Sequence, residues 1–345
     1  MNASLAALLR DLARQLGGTA ADWHDAIVQQ NYGAVPIAGA RAGELPSLRG
    51  FNLLLLARDG TPRHFAKCRP LGADELARET AVVRQLAASA SGRRHVPAVA
   101  MGVGPTMAAQ LAEYLAGEPL AAHLRRIGAA AAGPALLEIL DVAALLGTLL
   151  GESQAGPASV DLAAEGAPHL AAVTRAGLDS AAMERIAAAL AAAGPVGPAP
   201  QHGDLWPPNV IRTRESWVLL DFELFGRLAV PMVDAVQLVR ASGDVLWPAP
   251  AGGGAPGASW MAELATRSDR AGFTRRLLAG ARERLALPVP AAIGCVTFAL
   301  LEITSRFLLA GRAEADWKPA LGALGDFASA LGRGDGAAAL FGEAA

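Results

Sequence analysis

The feature that most restricts how this chain can fold is a change of pattern near residue 118. Before it lie short apolar runs broken by glycine (VPIAG, FNLLLLA, RHFAKC) and two more runs at 97–103 and 107–111, all of β-strand length and spacing. Asp59-Gly60 sits between FNLLLLA and RHFAKC and predicts a tight hairpin, which makes 51–58 and 63–69 adjacent antiparallel strands. ADELARETAVVRQLAAS (73–89) repeats apolar residues at Leu76, Val82, Val83 and Leu86 and predicts a helix. After residue 118 the chain is rich in Ala and Leu, with helices expected at about 118–126, 134–152 and 166–193; strand character returns only at 209–212 and 217–222. A small antiparallel sheet carrying one main helix, followed by a larger helical part, is an α+β arrangement. In front of the sheet, ASLAALLRDLARQLG sets Leu5, Leu8, Leu9, Leu12 and Leu16 on one helical face, and a second short helix is expected over 19–30.

Composition narrows the class of partner. With 52% apolar and 18% charged residues in 345, the chain can bury a core and is neither wholly disordered nor a disulfide-stapled mini-protein. Thirty basic against 32 acidic residues give a net charge of -2, so no electrostatic footprint for nucleic acid or an anionic membrane is expected. Any phosphate must be held by a local site. Cys68 and Cys295 have no metal-ligand spacing around them and read as buried thiols, which fits a cytoplasmic location. Arg10, Asp11 and Arg14 interrupt the N-terminus before any apolar run of signal-peptide length. The most apolar stretch, 285–301, carries Pro288 and Pro290 and is about 17 residues long, short for a membrane span, so it reads as a buried helix. AGPVGPAP and PAPAGGGAPG read as linkers or surface loops.

The most informative window is QHGDLWPPNVIRTRESWVLLDFE, residues 201–223. Asp204 and Asn209 share a Pro-containing loop, a hairpin follows, and Asp221 arrives at the end of a strand. Phosphoryl transfer needs a carboxylate to orient and deprotonate the attacking hydroxyl, and hard oxygen ligands for Mg²⁺. Carboxylate and amide oxygens meet both needs. A second clue is the scarcity of lysine: the chain has only Lys67 and Lys318. A chain so biased to Arg should keep Lys where a compact ammonium does what a planar guanidinium cannot.

HGDLWPPN followed by LLDFE resembles the aminoglycoside phosphotransferase and choline kinase branch of the protein-kinase-like superfamily. The resemblance covers about residues 33–240. It implies a two-lobed kinase-like fold: an N-terminal helical extension (1–32), a sheet-bearing N-lobe (33–112), a hinge (113–117) and a helical C-lobe (118–345). The catalytic loop would be 202–209 and the metal-binding segment 221–223. By the same resemblance Asp204 is the catalytic base, Asn209 and Asp221 hold Mg²⁺, and His202 braces the loop. Lys67 on the third strand, paired with Glu79 on the following helix, would hold the α and β phosphates of ATP; Glu75, one turn earlier, is the rival partner. Glu113-Tyr114-Leu115 resembles the hinge whose backbone meets adenine, with Glu113 and Leu115 as nucleotide contacts. Gly39, Gly43 and Gly50 either cover phosphate or belong to an ordinary flexible hairpin, since no G-x-G-x-x-G stands there. Pro231 and Asp234 resemble the P-x-x-D that follows, with Asp234 bonding back to the catalytic loop.

The chain also departs from the pattern. Trp206 and Pro208 stand where the family often has His and Gly, and the indole either stacks on a sugar face or plugs the core. Glu223 replaces the glycine of a protein kinase's DFG and favours a small-molecule acceptor. The expected activity is ATP- and Mg²⁺-dependent phosphate transfer to a hydroxyl of a small molecule, a sugar, amino sugar or aminoglycoside-like compound. The alternative is a nucleotide-binding pseudokinase or regulator. Asp161, Glu165, Asp179 and Glu184 could line a pocket for a cationic acceptor, and Arg306 and Arg312 could meet an anionic one; solvated helix faces account for the acidic set equally well and for the arginines better. Monomer and dimer stay open.

Overall fold

The computed structural model describes residues 3–17, 25–29, 50–71, 74–152, 158–248, 268–309, 314–333 and 340–342. The chain divides into two compact units: Met1–Gly117 with Ile211–Glu223, and Glu118–Val210 with Leu224–Ala345.

The first unit is built on an antiparallel sheet of β1 (Asp25–Gln29), β2 (Phe51–Leu56), β3 (Pro62–Pro70), β4 (Val99–Val103) and β5 (Met107–Glu113), ordered β1-β2-β3-β5-β4. The Asp59-Gly60 turn joins β2 to β3 as its sequence dictates, with Asp59 Oδ1 accepting from the Thr61 amide. The helix expected over 19–30 is not formed at 25–29, where β1 pairs with β2 in the register Ile27↔Leu54. A five-residue segment gains more from an open sheet edge than from a helix too short to nucleate. Successive side chains of a strand face opposite ways. On one face Leu53, Leu55, Ala66, Cys68, Ala100, Ala109 and Leu111 form a core with Leu9, Leu12 and Ala13 of α1 (Ala3–Gln15). Each fully buried leucine there contributes about 1.5–3 kcal/mol. The alternate residues, Lys67 and its register partner Gln110, stand on the other face, where Gln110 Nε2 donates to Thr80 of α2 (Asp74–Ala87) at 2.9 Å.

The second unit is helical. Its helices are α4 (Leu120–Gly151), α5 (Leu162–Arg175), α6 (Ser180–Ala192), α7 (Val233–Leu246), α8 (Asp269–Arg284), α9 (Val289–Leu309) and α10 (Glu314–Gly332), after the four-residue α3 (Ala90–Arg93) of the first unit. The single helix expected over 166–193 is two: Gly177, at φ +98, ends one and Asp179 caps the next by accepting from the Ala182 amide. Gly128 (φ 72, ψ 170) likewise kinks α4. The apolar stretch read as a buried helix forms α9, whose residues from Ala291 to Ser305 are almost all buried. It packs on α5, α6, α7 and α10.

Candidate active site

In the first unit, the site is assembled around Lys67. Burial works against its charge, yet the Asp221 and Glu79 carboxylates outweigh it and hold the ammonium's pKa above the ordinary lysine value. Lys67 Nζ donates to Glu79 Oε1 and Oε2 at 2.7 and 2.9 Å and to Asp221 Oδ1 at 2.7 Å. Glu79 is 4% exposed, whereas Glu75 is exposed, so the rivalry between the two is decided in favour of Glu79. The same Glu79 Oε1 accepts from the Phe222 amide at 3.1 Å, and Arg78 beside it donates to the Glu223 carbonyl. One face of α2 thus grips both the lysine and the DFE segment. Asp221 takes φ +64, a left-handed conformation that Asp tolerates better than most residues. The hairpin before it, β6 (Val210–Arg212) and β7 (Trp217–Leu219), is tied down by His95: its Nδ1 donates to the Trp217 carbonyl at 2.8 Å and its carbonyl accepts from Leu219 at 2.9 Å. This anchorage delivers Asp221 to Lys67.

In the second unit, the loop 202–209 is held from below. Asp234, at the start of α7, accepts from the His202 and Gly203 amides at 2.7 and 2.8 Å. Burial lifts its carboxyl to about 6, against the pull of those two amides. Gln201 Oε1 accepts from the Asp234 amide, and Gln237 bonds both the Leu205 amide and the Gly203 carbonyl. His202 is fully buried, edge-on to Phe225 at 5.8 Å, and serves as the loop's packing anchor. Gly203 sits at φ +79 where an added Cβ would lie 3.0 Å from Leu224 Cβ, so the loop needs glycine there. Asn209 Nδ2 donates to the Asp204 carbonyl at 3.0 Å and to Asp204 Oδ2 at 3.2 Å. That orientation turns the amide oxygen of Asn209 away from Asp204.

Asp221 in the first unit and Asn209 in the second each carry a hard oxygen of the kind Mg²⁺ takes. No cluster of three His, Cys, Asp or Glu side chains occurs among the described residues. Glu113 and Leu115 lie at the end of β5, Glu113 exposed and Leu115 half-buried. The Glu113 amide is taken by the Ala98 carbonyl at 3.3 Å. Gly39, Gly43 and Arg312 lie outside the described residues. Gly50 packs against β3, where a Cβ would be 2.0 Å from the Cys68 carbonyl. Trp206 is 45% exposed and does not plug the core. Asp161 and Asp179 cap α5 and α6, an occupation that accounts for both. Gln201, Gln237 and Arg78 were not legible as functional; Gln237, three residues past Asp234 on one helix face, carried the only sequence signal.

The first unit thus holds a strand lysine clasped by a helix glutamate and a strand-end aspartate, and the second an HGD loop bearing an Asp and an Asn. The chain belongs to the phosphotransferase enzyme family, APH, whose sequence model matches residues 52–273. It is a small-molecule kinase. Among solved structures it is similar to choline kinase from Cryptosporidium parvum Iowa II, at 11% identity and a TM-score of 0.49, over 90% of this chain and 91% of that one. It is also similar to macrolide 2'-phosphotransferase from Brachybacterium faecium, at 17% identity and a TM-score of 0.48, over 98% and 99%. A comparison with curated proteins finds no match.

Proposed function

We propose that the protein transfers the γ-phosphate of ATP, as its Mg²⁺ complex, to a hydroxyl of a small polyhydroxyl compound such as a sugar, an amino sugar or an aminoglycoside-like molecule. The observation that carries this reading is the Lys67–Glu79–Asp221 ion cluster, in which Lys67 and Glu79 are buried and Asp221 is part-exposed. An ammonium is buried between two carboxylates at the cost of desolvation, an arrangement suited to gripping phosphate rather than to stability. Lys67, aimed by Glu79, binds the α and β phosphates, while the Glu113 carbonyl and the Leu115 backbone take the adenine edge. Asp221 and Asn209 hold Mg²⁺, which when bound neutralises phosphate charge. Asp204 orients the acceptor hydroxyl and takes its proton as the new O–P bond forms and ADP leaves. Exposed Trp206, two residues from Asp204, offers an apolar face to the acceptor ring. Burial pushes the Cys68 and Cys295 thiols up to about 11 and 12, which keeps them inert and fits a reducing cytoplasm.

The test is the Asp204→Ala variant, assayed by ADP release with an acceptor found by screening, alongside calorimetric titration with MgATP. We expect unchanged nucleotide affinity and a turnover loss of at least ~100-fold. Undiminished turnover would remove Asp204 from this role, and a wild-type chain that binds MgATP but transfers to no acceptor would favour the pseudokinase reading.

A further inference from the structure

The two oxygens of the Asp204 carboxylate are addressed separately. Oδ2 accepts from Asn209 Nδ2 at 3.2 Å, and Oδ1 lies 3.7 Å from Arg306 Nη1. Arg306 stands in the last turn of α9. Its other two nitrogens are committed: Nε and Nη2 donate to Glu302 Oε1 and Oε2 at 2.8 and 2.6 Å. An i,i+4 ion pair on a helix surface is ordinarily loose and solvated. This one is not, because Glu302 is only 5% exposed. A buried carboxylate requires its partner, and a planar fork bound at two corners has its third corner fixed in direction. That corner faces Asp204. The same stretch of α9 is held by Ser305, fully buried, whose hydroxyl bonds the Glu302 carbonyl at 3.0 Å and meets His169 Nδ1 at 2.6 Å.

We infer that Arg306, braced by Glu302, is a positioning residue that fixes the orientation of the Asp204 carboxylate against the acceptor hydroxyl. Asn209 holds Oδ2, and the guanidinium adds a point of restraint at Oδ1. Arg306 touches no reacting atom in this account. The inference rests on the reading of Asp204 as proton acceptor, so its test has an arm that does not depend on turnover.

The full chain and its Arg306→Gln, Arg306→Lys and Glu302→Gln variants would be crystallised. They would also be assayed by ADP release from MgATP, with water and with a panel of sugars, amino sugars and aminoglycosides as acceptors. In Arg306→Gln the Asp204 side chain is expected to leave its single orientation and kcat to fall about 10- to 100-fold, with the KM for MgATP within about twofold of wild type. Arg306→Lys should recover part of the loss, and Glu302→Gln should reproduce a milder form of it. If Arg306→Gln does not fold, the double variant with Glu302→Gln, which buries no lone charge, takes its place. An unmoved Asp204 still bonded to Asn209 overturns the inference, as does a kcat loss matched by an equal rise in the MgATP KM. Absence of ADP release from the wild type with every acceptor and with water sinks the phosphotransferase reading instead, and the crystallographic arm still decides the role of Arg306.

Discussion

At the scale of single residues, Lys67 and Asp234 are buried ionisable groups with opposite consequences. Replacing Lys67 with Ala leaves the Glu79 carboxylate buried without its cation, and we expect a stability loss of about 3 kcal/mol by urea unfolding together with loss of MgATP binding. A Lys67→Ala chain of wild-type stability would contradict the description of this cluster. Asp234 works the other way. Its folded carboxyl titrates at about 6 against an ordinary 3.8, so between those values the folded chain retains a proton that the unfolded chain has released. Stability from this group is therefore greatest in acid and falls as pH rises from about 4 to about 6. In Asp234→Asn that downward slope should vanish from melting curves taken across the window, and turnover should drop because the His202 and Gly203 amides address different oxygens, one of which becomes an NH₂ donor.

At the scale of elements, close approach sets the tolerances. Gly294 lets α9 meet the end of α6, where an added Cβ would lie 2.3 Å from Ala193 Cβ. Gly294→Val should destabilise by about 1–3 kcal/mol, measured by urea unfolding, because both backbones must move. An equal stability would mean that α9 and α6 lie farther apart than described. On the sheet, Leu12 of α1 is fully buried against β4 and β5, and Leu12→Ala should cost about 2–4 kcal/mol. A loss under about 0.5 kcal/mol would show α1 to be a detachable extension.

At the scale of the whole molecule, nucleotide binding is the property to measure. If MgATP is the ligand, a hundredfold excess over its Kd adds about 2.7 kcal/mol of stability, visible as a higher melting temperature. Excess EDTA should remove most of that gain while free ATP alone gives little of it. A shift indifferent to EDTA would take Asn209 and Asp221 out of metal binding.

Much of this molecule was legible in its sequence for reasons that are local. The Asp59-Gly60 hairpin, the periodic α2 and the HGDLWPPN–LLDFE window are short-range patterns, and each leaves its mark on contiguous residues. Lys67 stood out because lysine is so rare in this chain, and Glu79 because of its place on the helix that follows. What sequence could not supply were the choices that depend on what lies opposite. Residues 25–29 became a strand because β2 had a free edge. Arg306, some hundred residues beyond Asp204, reads in sequence as a surface arginine or a contact for an anionic acceptor; only the packing of α9 brings its guanidinium to that carboxylate. Pattern records the propensity of neighbours along the chain, whereas the partners of a charge are fixed by which surfaces the core brings together.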